Sequence, residues 1–169
     1  MPDLDEFVVP ARRTLGPIKE ARASMAAGER WRATIASARY GVYTITGRVR
    51  SVGADLHLGG FNLGSPTSAP SDLHGLTRID EQDDAATVDA ATTDAPSATH
   101  GDIVRIHLAY NPEDAITVAG LALERSGYGH LIVGGWRVAH PAVRAVSVLA
   151  RAGEHGLSVP APLPALKTE

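Results

Sequence analysis

From Arg30 onward, polar and apolar side chains alternate residue by residue. Trp31, Ala33 and Ile35 interleave with Arg30, Arg32 and Thr34, and Tyr43, Ile45, Gly47 and Val49 interleave with Thr44, Thr46, Arg48 and Arg50. A period of two is that of a strand with one face buried. The pattern predicts strands at residues 30–36, 42–50 and 55–63 and a shorter one at 75–80. The chain then starts again. Gly28-Glu29-Arg30-Trp31-Arg32 is answered by Gly101-Asp102-Ile103-Val104-Arg105 at an offset of 73 residues, and Thr44-Ile45-Thr46-Gly47 by Thr117-Val118-Ala119-Gly120 at the same offset. After two inserted residues the match resumes at an offset of 75, where Leu56 answers Leu131 and Gly59-Gly60-Phe61 answers Gly134-Gly135-Trp136. Strands are therefore expected again at 103–109, 115–124, 130–139 and 143–151. A copy of about 50 residues holds only a marginal core, so the two copies should pack together.

The rest of the chain is arranged around these copies. Residues 1–13 read as an extended arm. Residues 14–80 hold a short helix and the first repeat, the helix opening at Thr14 or Gly16, tolerating Pro17 in its first turn and ending by Gly28. Ile18, Ala21, Arg22 and Met25 lie near one face of it. Residues 81–100 form an acidic linker with little to bury, residues 101–152 the second repeat, and 153–169 a proline-rich tail. Gly47 and Gly120 fall mid-strand, and the Gly-Gly pairs fall within the third strands; both are expected to mark bends.

Alternation sorts the side chains into faces. With Trp31, Ala33, Ile35, Tyr43, Ile45 and Val49 inward, Arg30, Arg32, Arg48 and Arg50 point outward, and matching the inward sets puts Arg30 opposite Arg50 and Arg32 opposite Arg48. Like charges across a ladder repel. Four together call for a counter-anion: a phosphate backbone, the acidic linker or solvent ions. In the second repeat the outward positions hold Ile103, Arg105, His107, Ala119, Leu121 and Leu123, four of them apolar. Such a face is expected to be covered, by the first repeat, the helix or another copy, which makes Ile103, Leu121 and Leu123 candidate interface residues.

A short helix, a Gly-Asp-x-Val-x-Ile-x-Leu strand (Gly101 to Leu108), a bent second strand and a third strand resemble the Sm-like and SH3-like small β-barrels. The likeness covers roughly residues 17–80 and 101–151, without the helix in the second copy. It implies an all-β fold of two tandem small barrels packed together, or one pseudo-symmetric barrel built from both repeats. Sm-like proteins commonly bind RNA and form rings; SH3-like barrels serve as protein-interaction modules. The Sm signature residues are not recognisable here, so no RNA contact carries over to a named residue.

Composition narrows the chemistry. The 169 residues carry a net charge of -3, which hides a split. Between residues 12 and 50 nine basic residues face two acids, and between 80 and 114 nine acids face one base. Segregation of this kind points to an anionic partner for one end, or to one end screening the other. There are no cysteines, which removes disulfides and thiolate metal sites. No apolar run approaches the roughly 18 residues that cross a bilayer, and a cytoplasmic protein is the expectation. The seven histidines show no metal-ligand spacing, Asp80-Glu81-Gln82-Asp83-Asp84 lacks the glycine of a calcium loop, and no nucleophile elbow or phosphate loop appears. His57 or His130 beside a buried carboxylate would be the one sign of an enzyme; none is expected, nor any cofactor or metal. The function expected is a non-catalytic interaction or assembly module that self-associates or binds a protein partner. The alternative is RNA binding through Arg30, Arg32, Arg48 and Arg50.

Overall fold

The computed structural model describes residues 15–37, 39–58, 61–64, 72–79, 98–109, 115–125, 130–139, 141–154 and 159–160. The arm at 1–13, the acidic cluster at 80–84, most of the linker, the 110–113 turn, Gly59-Gly60, the Gly127-Tyr128-Gly129 turn, the His130 side chain and most of the tail lie outside them.

One helix, α1 (Leu15–Ser24), precedes ten strands: β1 (Arg30–Ser37), β2 (Gly41–Val52), β3 (Asp55–Leu58), β4 (Phe61–Asn62), β5 (Leu73–Arg78), β6 (Ile103–Ala109), β7 (Ala115–Arg125), β8 (His130–Val133), β9 (Trp136–Arg137) and β10 (Val143–Ala150). The chain is all-β, and its strands form one curled antiparallel sheet in the order β10-β6-β7-β2-β1-β5. β3 and β4 branch from β2, and β8 and β9 from β7. The pairings of β1 to β5 recur among β6 to β10: first with second, second with third, third with fourth, first with fifth.

The correspondence reaches individual hydrogen bonds. The N–H of Gly28 donates to Val49 O at 2.8 Å and that of Gly101 to Ala122 O at 2.8 Å, while Val49 and Ala122 return N–H bonds to the carbonyls of Glu29 and Asp102. Both glycines take a positive φ, +93° and +92°, a conformation that costs other residues steric strain. The halves join along β2 and β7, where Tyr43 faces Gly120, Thr44 faces Ala119, Ile45 faces Val118 and Thr46 faces Thr117. Ile45 and Val118 are counterparts at the 73-residue offset, so an approximate two-fold axis runs between them. The expected bends at Gly47 and Gly120 sit on this seam. Past each glycine, β2 exchanges its partner β7 for β3, and β7 exchanges β2 for β8.

Inward-pointing residues of both halves share one core: Trp31, Ala33, Ile35, Tyr43, Ile45 and Val49 with Val104, Ile106, Leu108, Val118 and Val146. Ile18 and Met25 of the helix segment join it, as the periodicity predicts. Arg22 lies on that same face and is buried, its Nε and Nη2 donating to Gly64 O at 3.2 and 2.6 Å. Burial lowers its pKa, against the opposing pull of Asp55.

Two sequence expectations are corrected. The third strand of each repeat is two short strands that pair with each other, β3 with β4 where Leu58 faces Phe61 and β8 with β9 where Val133 faces Trp136, the latter two joined by Gly134-Gly135 at φ +57° and +94°. Two successive positive φ values make the tight turn that suits strand twist. The register of the first hairpin is shifted by two: Arg30 faces Arg48, and Arg32 faces Thr46. The turn decides this. Ser37 Oγ accepts the N–H groups of Arg39 and Tyr40 at 3.1 and 3.2 Å, and Gly41 takes φ +75°, so the hairpin closes at Ser37 opposite Gly41. A shift of two keeps every side chain on its face.

Candidate anion-binding face

The face opposite the core changes character from one end to the other. Along β2 its residues are Val42, Thr44, Thr46, Arg48 and Arg50. Across the seam on β7, Thr44 faces Ala119 and Thr46 faces Thr117, and Val42 packs against the apolar cluster that contains Leu121. One end is therefore apolar, the middle carries hydroxyls, and the other end is cationic. The two-fold relation exchanges the ends: Arg30, Arg48, Arg50 and His57 occupy the places that Ile103, Leu121, Leu123 and Ile132 hold in the other half.

At the cationic end Arg30 and Arg48 are cross-strand neighbours, and Arg50 faces His57, which in turn faces Asn62. Arg48 and Arg50 are exposed, and Arg30 and Arg32 half-buried. Local bonds aim these side chains. Arg48 Nη1 donates to Gly28 O at 2.9 Å, and Arg32 Nε donates to Thr46 Oγ1 at 3.2 Å. Successive same-face residues of a strand lie about 7 Å apart and paired strands about 5 Å apart, so the backbones of Arg30, Arg48 and Arg50 fit within one small patch.

Arg105 extends the positive charge toward the middle. It is the counterpart of Arg32 at offset 73 and lies on β6, in a row of Cα partners with Ala119 and Thr44. The next row runs Arg32, Thr46, Thr117, His107. His107 is buried, and its Nδ1 shares a 3.1 Å hydrogen bond with Thr117 Oγ1. Arg105 is legible as an outward residue, but its row with Ala119 and Thr44 depends on the β6–β7 and β2–β7 pairings, and the place of His57 opposite Arg50 on the β2–β3 pairing.

The apolar end is closed by the chain itself. Ile103, Leu121 and Leu123 are 0%, 1% and 0% exposed and pack with Ala119, Ile132 and Ala150. Tyr40 and Val42 of the first repeat and Leu149 cover them.

Four repeat-matched aromatic residues belong to the core or line it. Trp31 and Tyr43 are buried in it, and Phe61 and Trp136 pack against it. Burial above all, with Asp72 and Tyr40, pushes the Tyr43 hydroxyl up to about 12. No group of three or more potential metal ligands occurs among the described residues, and no described helix is long and apolar enough to cross a membrane. The most buried carboxylate among the described residues, Asp102, is held by Arg151, Ala152 and Thr99 rather than by a histidine. Comparison with known protein families, curated proteins and solved structures returns no match.

Proposed function

We propose that this protein is a non-catalytic module, two copies of one small β-unit, that binds the phosphate backbone of nucleic acid on the outer face of its first repeat. The observation that carries this reading is the clustering of Arg30, Arg32, Arg48 and Arg50 on one end of a sheet face, with Arg48 and Arg50 exposed. At the positions corresponding to Arg30, Arg48 and Arg50 the second repeat holds the buried apolar residues Ile103, Leu121 and Leu123, and only Arg105 keeps the charge of its counterpart Arg32, so the dense cationic set belongs to one copy. Guanidinium groups take phosphate oxygens bidentately. With the four repeat-matched aromatics turned to the core, the described residues of the patch include no stacking platform of the kind single-strand binders use. Binding is then an electrostatic grip on the backbone, indifferent to base sequence.

Fluorescence anisotropy with a labelled 20-base-pair duplex tests this. Four phosphate contacts give a slope of log K against log salt of roughly -3 to -4. Arg48→Glu with Arg50→Glu should make the slope shallower by about two and weaken binding at least tenfold at 50 mM salt. Absence of binding to duplex and to RNA at that salt would remove the reading. Equal affinity for a poly-glutamate peptide would reassign the face to acidic proteins.

A further inference from the structure

The apolar end of the outer face is also crossed by a short piece of the C-terminal chain. Val159 and Pro160 lie there, beside Gly41, His100, Gly101 and Leu121, which are distant from them in sequence. A side chain built on Gly101 would meet Val159 Cγ1 at 3.5 Å and Ala152 Cβ at 3.0 Å; one built on Gly41 would meet Pro160 Cδ at 3.5 Å and Leu121 Cδ1 at 2.9 Å. Two glycines, one from each half, thus leave the room in which this segment lies. A polar contact fixes its height. His100 Nδ1 accepts the N–H of Glu124 at 2.9 Å, which leaves the ring proton on Nε2, and Nε2 donates it to Pro160 O at 3.1 Å. Proline suits such a place because it needs no partner for an N–H and enters extended. Val159 remains 40% exposed, so the segment is held at the surface and is not part of the core.

We propose that the apolar end, built on Leu121, Gly41, Gly101 and His100, is a seat for an extended Val-Pro segment, and that the chain fills it with its own Val159–Pro160. The segment is an intramolecular ligand that shields an otherwise adhesive surface. A peptide of the same sequence competes for the seat. The inference concerns the end opposite the arginines and stands independently of nucleic-acid binding.

The chain lacks cysteines, so introduced thiols report cleanly. In the full chain, Ala152→Cys with Val159→Cys should close an intrachain disulfide under mild oxidation; failure to close would show that the segment is not seated. A peptide spanning residues 157–164 should bind the chain ended at Ser158 at least tenfold more tightly than it binds the intact chain. His100→Ala in the shortened chain should weaken that binding about fivefold, the worth of one hydrogen bond. Should the shortened chain not fold, Val159→Asp in the intact chain opens the seat instead. Equal peptide binding by intact and opened chains, or none by either opened chain, overturns the proposal.

Discussion

Gly120→Ala should lower the free energy of unfolding by about 3 kcal/mol, a large loss for one added methyl group. A Cβ at that position would stand 2.5 Å from Tyr43 Cβ, 2.9 Å from Tyr43 Cα and 2.9 Å from Val42 O. These atoms belong to the β2 backbone or its first side-chain atom and cannot turn away. Relief requires β2 and β7 to part, which breaks the ladder joining the halves. Gly47 is the two-fold counterpart, yet its added Cβ would meet Ile116 Cγ2 at 2.8 Å and backbone only at 3.4 Å. Gly47→Ala should therefore cost less, about 1–2 kcal/mol. Gly75 supplies the control: its Cβ would touch Thr34 Cβ at an ordinary 3.6 Å, and reducing the freedom of the unfolded chain should make Gly75→Ala neutral or slightly stabilising. Urea unfolding midpoints should rank Gly75→Ala above Gly47→Ala above Gly120→Ala. Any other order would mean that the seam yields more easily than its contacts imply.

Tyr43 sharpens the comparison. A side chain on Gly134 would strike the Tyr43 ring, at 2.5 Å from Cδ2 and 2.8 Å from Cε2, rather than its backbone. In a Tyr43→Ala background the added cost of Gly134→Ala should shrink to that of its positive φ, about 1–2 kcal/mol. The added cost of Gly120→Ala should persist, because alanine keeps the Cβ that it strikes. Tyr43 of the first repeat thus works as a wedge into two glycines of the second.

The alternation of side chains made the faces legible. Trp31, Ala33, Ile35, Tyr43, Ile45 and Val49 are all buried, as a period of two predicts, and Arg48 and Arg50 are exposed. Register was not legible, since the inward pattern is satisfied equally by any even shift; Ser37 and Gly41 decide it through a turn whose hydrogen bonds are local. Gly47 and Gly120 stood out as paired mid-strand glycines. Their service as the contact line between the repeats depends on β2 meeting β7, a pairing with no local signature. The apolar character of Ile103, Leu121 and Leu123 leads to the expectation of a cover, and in the fold all three are buried. That Tyr40, Val42 and Pro160 provide it could not be read from residues so far apart in sequence. The site is legible only in part for the same reason: the quartet is visible along two strands, but His57 meets Arg50 only through the β2–β3 pairing, which lies outside the first hairpin.

Asp102→Asn is the second substitution expected to cost heavily, about 2–3 kcal/mol at pH 7. The side chain of Asp102 is 1% exposed and accepts four hydrogen bonds: from Ala152 N at 2.8 Å, Thr99 N at 2.9 Å, Arg151 Nη1 at 2.9 Å and Thr99 Oγ1 at 3.2 Å. An amide keeps one acceptor oxygen but turns an NH2 group toward donors. Burial by itself pushes the carboxyl pKa up, and the Ala152 and Thr99 N–H groups, Arg151 and the Thr99 hydroxyl outweigh it, so the net shift is downward. A carboxyl whose pKa falls on folding stabilises the native state above its unfolded pKa, about 3.9, and that contribution drains away as pH drops through the folded value. The gap between the wild-type chain and Asp102→Asn should therefore be full at pH 7 and 5 and should narrow at pH 3. The first repeat offers an internal comparison, because Glu29 is the counterpart of Asp102 and Arg78 that of Arg151. Glu29 accepts from Ala26 N at 2.7 Å and Trp31 Nε1 at 3.2 Å and pairs with Arg78 at 3.2 Å, but both partners of that ion pair are more open to water. Water screens what burial preserves, so Glu29→Gln should lose less than Asp102→Asn. Urea unfolding of the three chains at pH 7, 5 and 3 decides the matter: a gap for Asp102→Asn that stays constant with pH would trace the loss to packing and not to the charge.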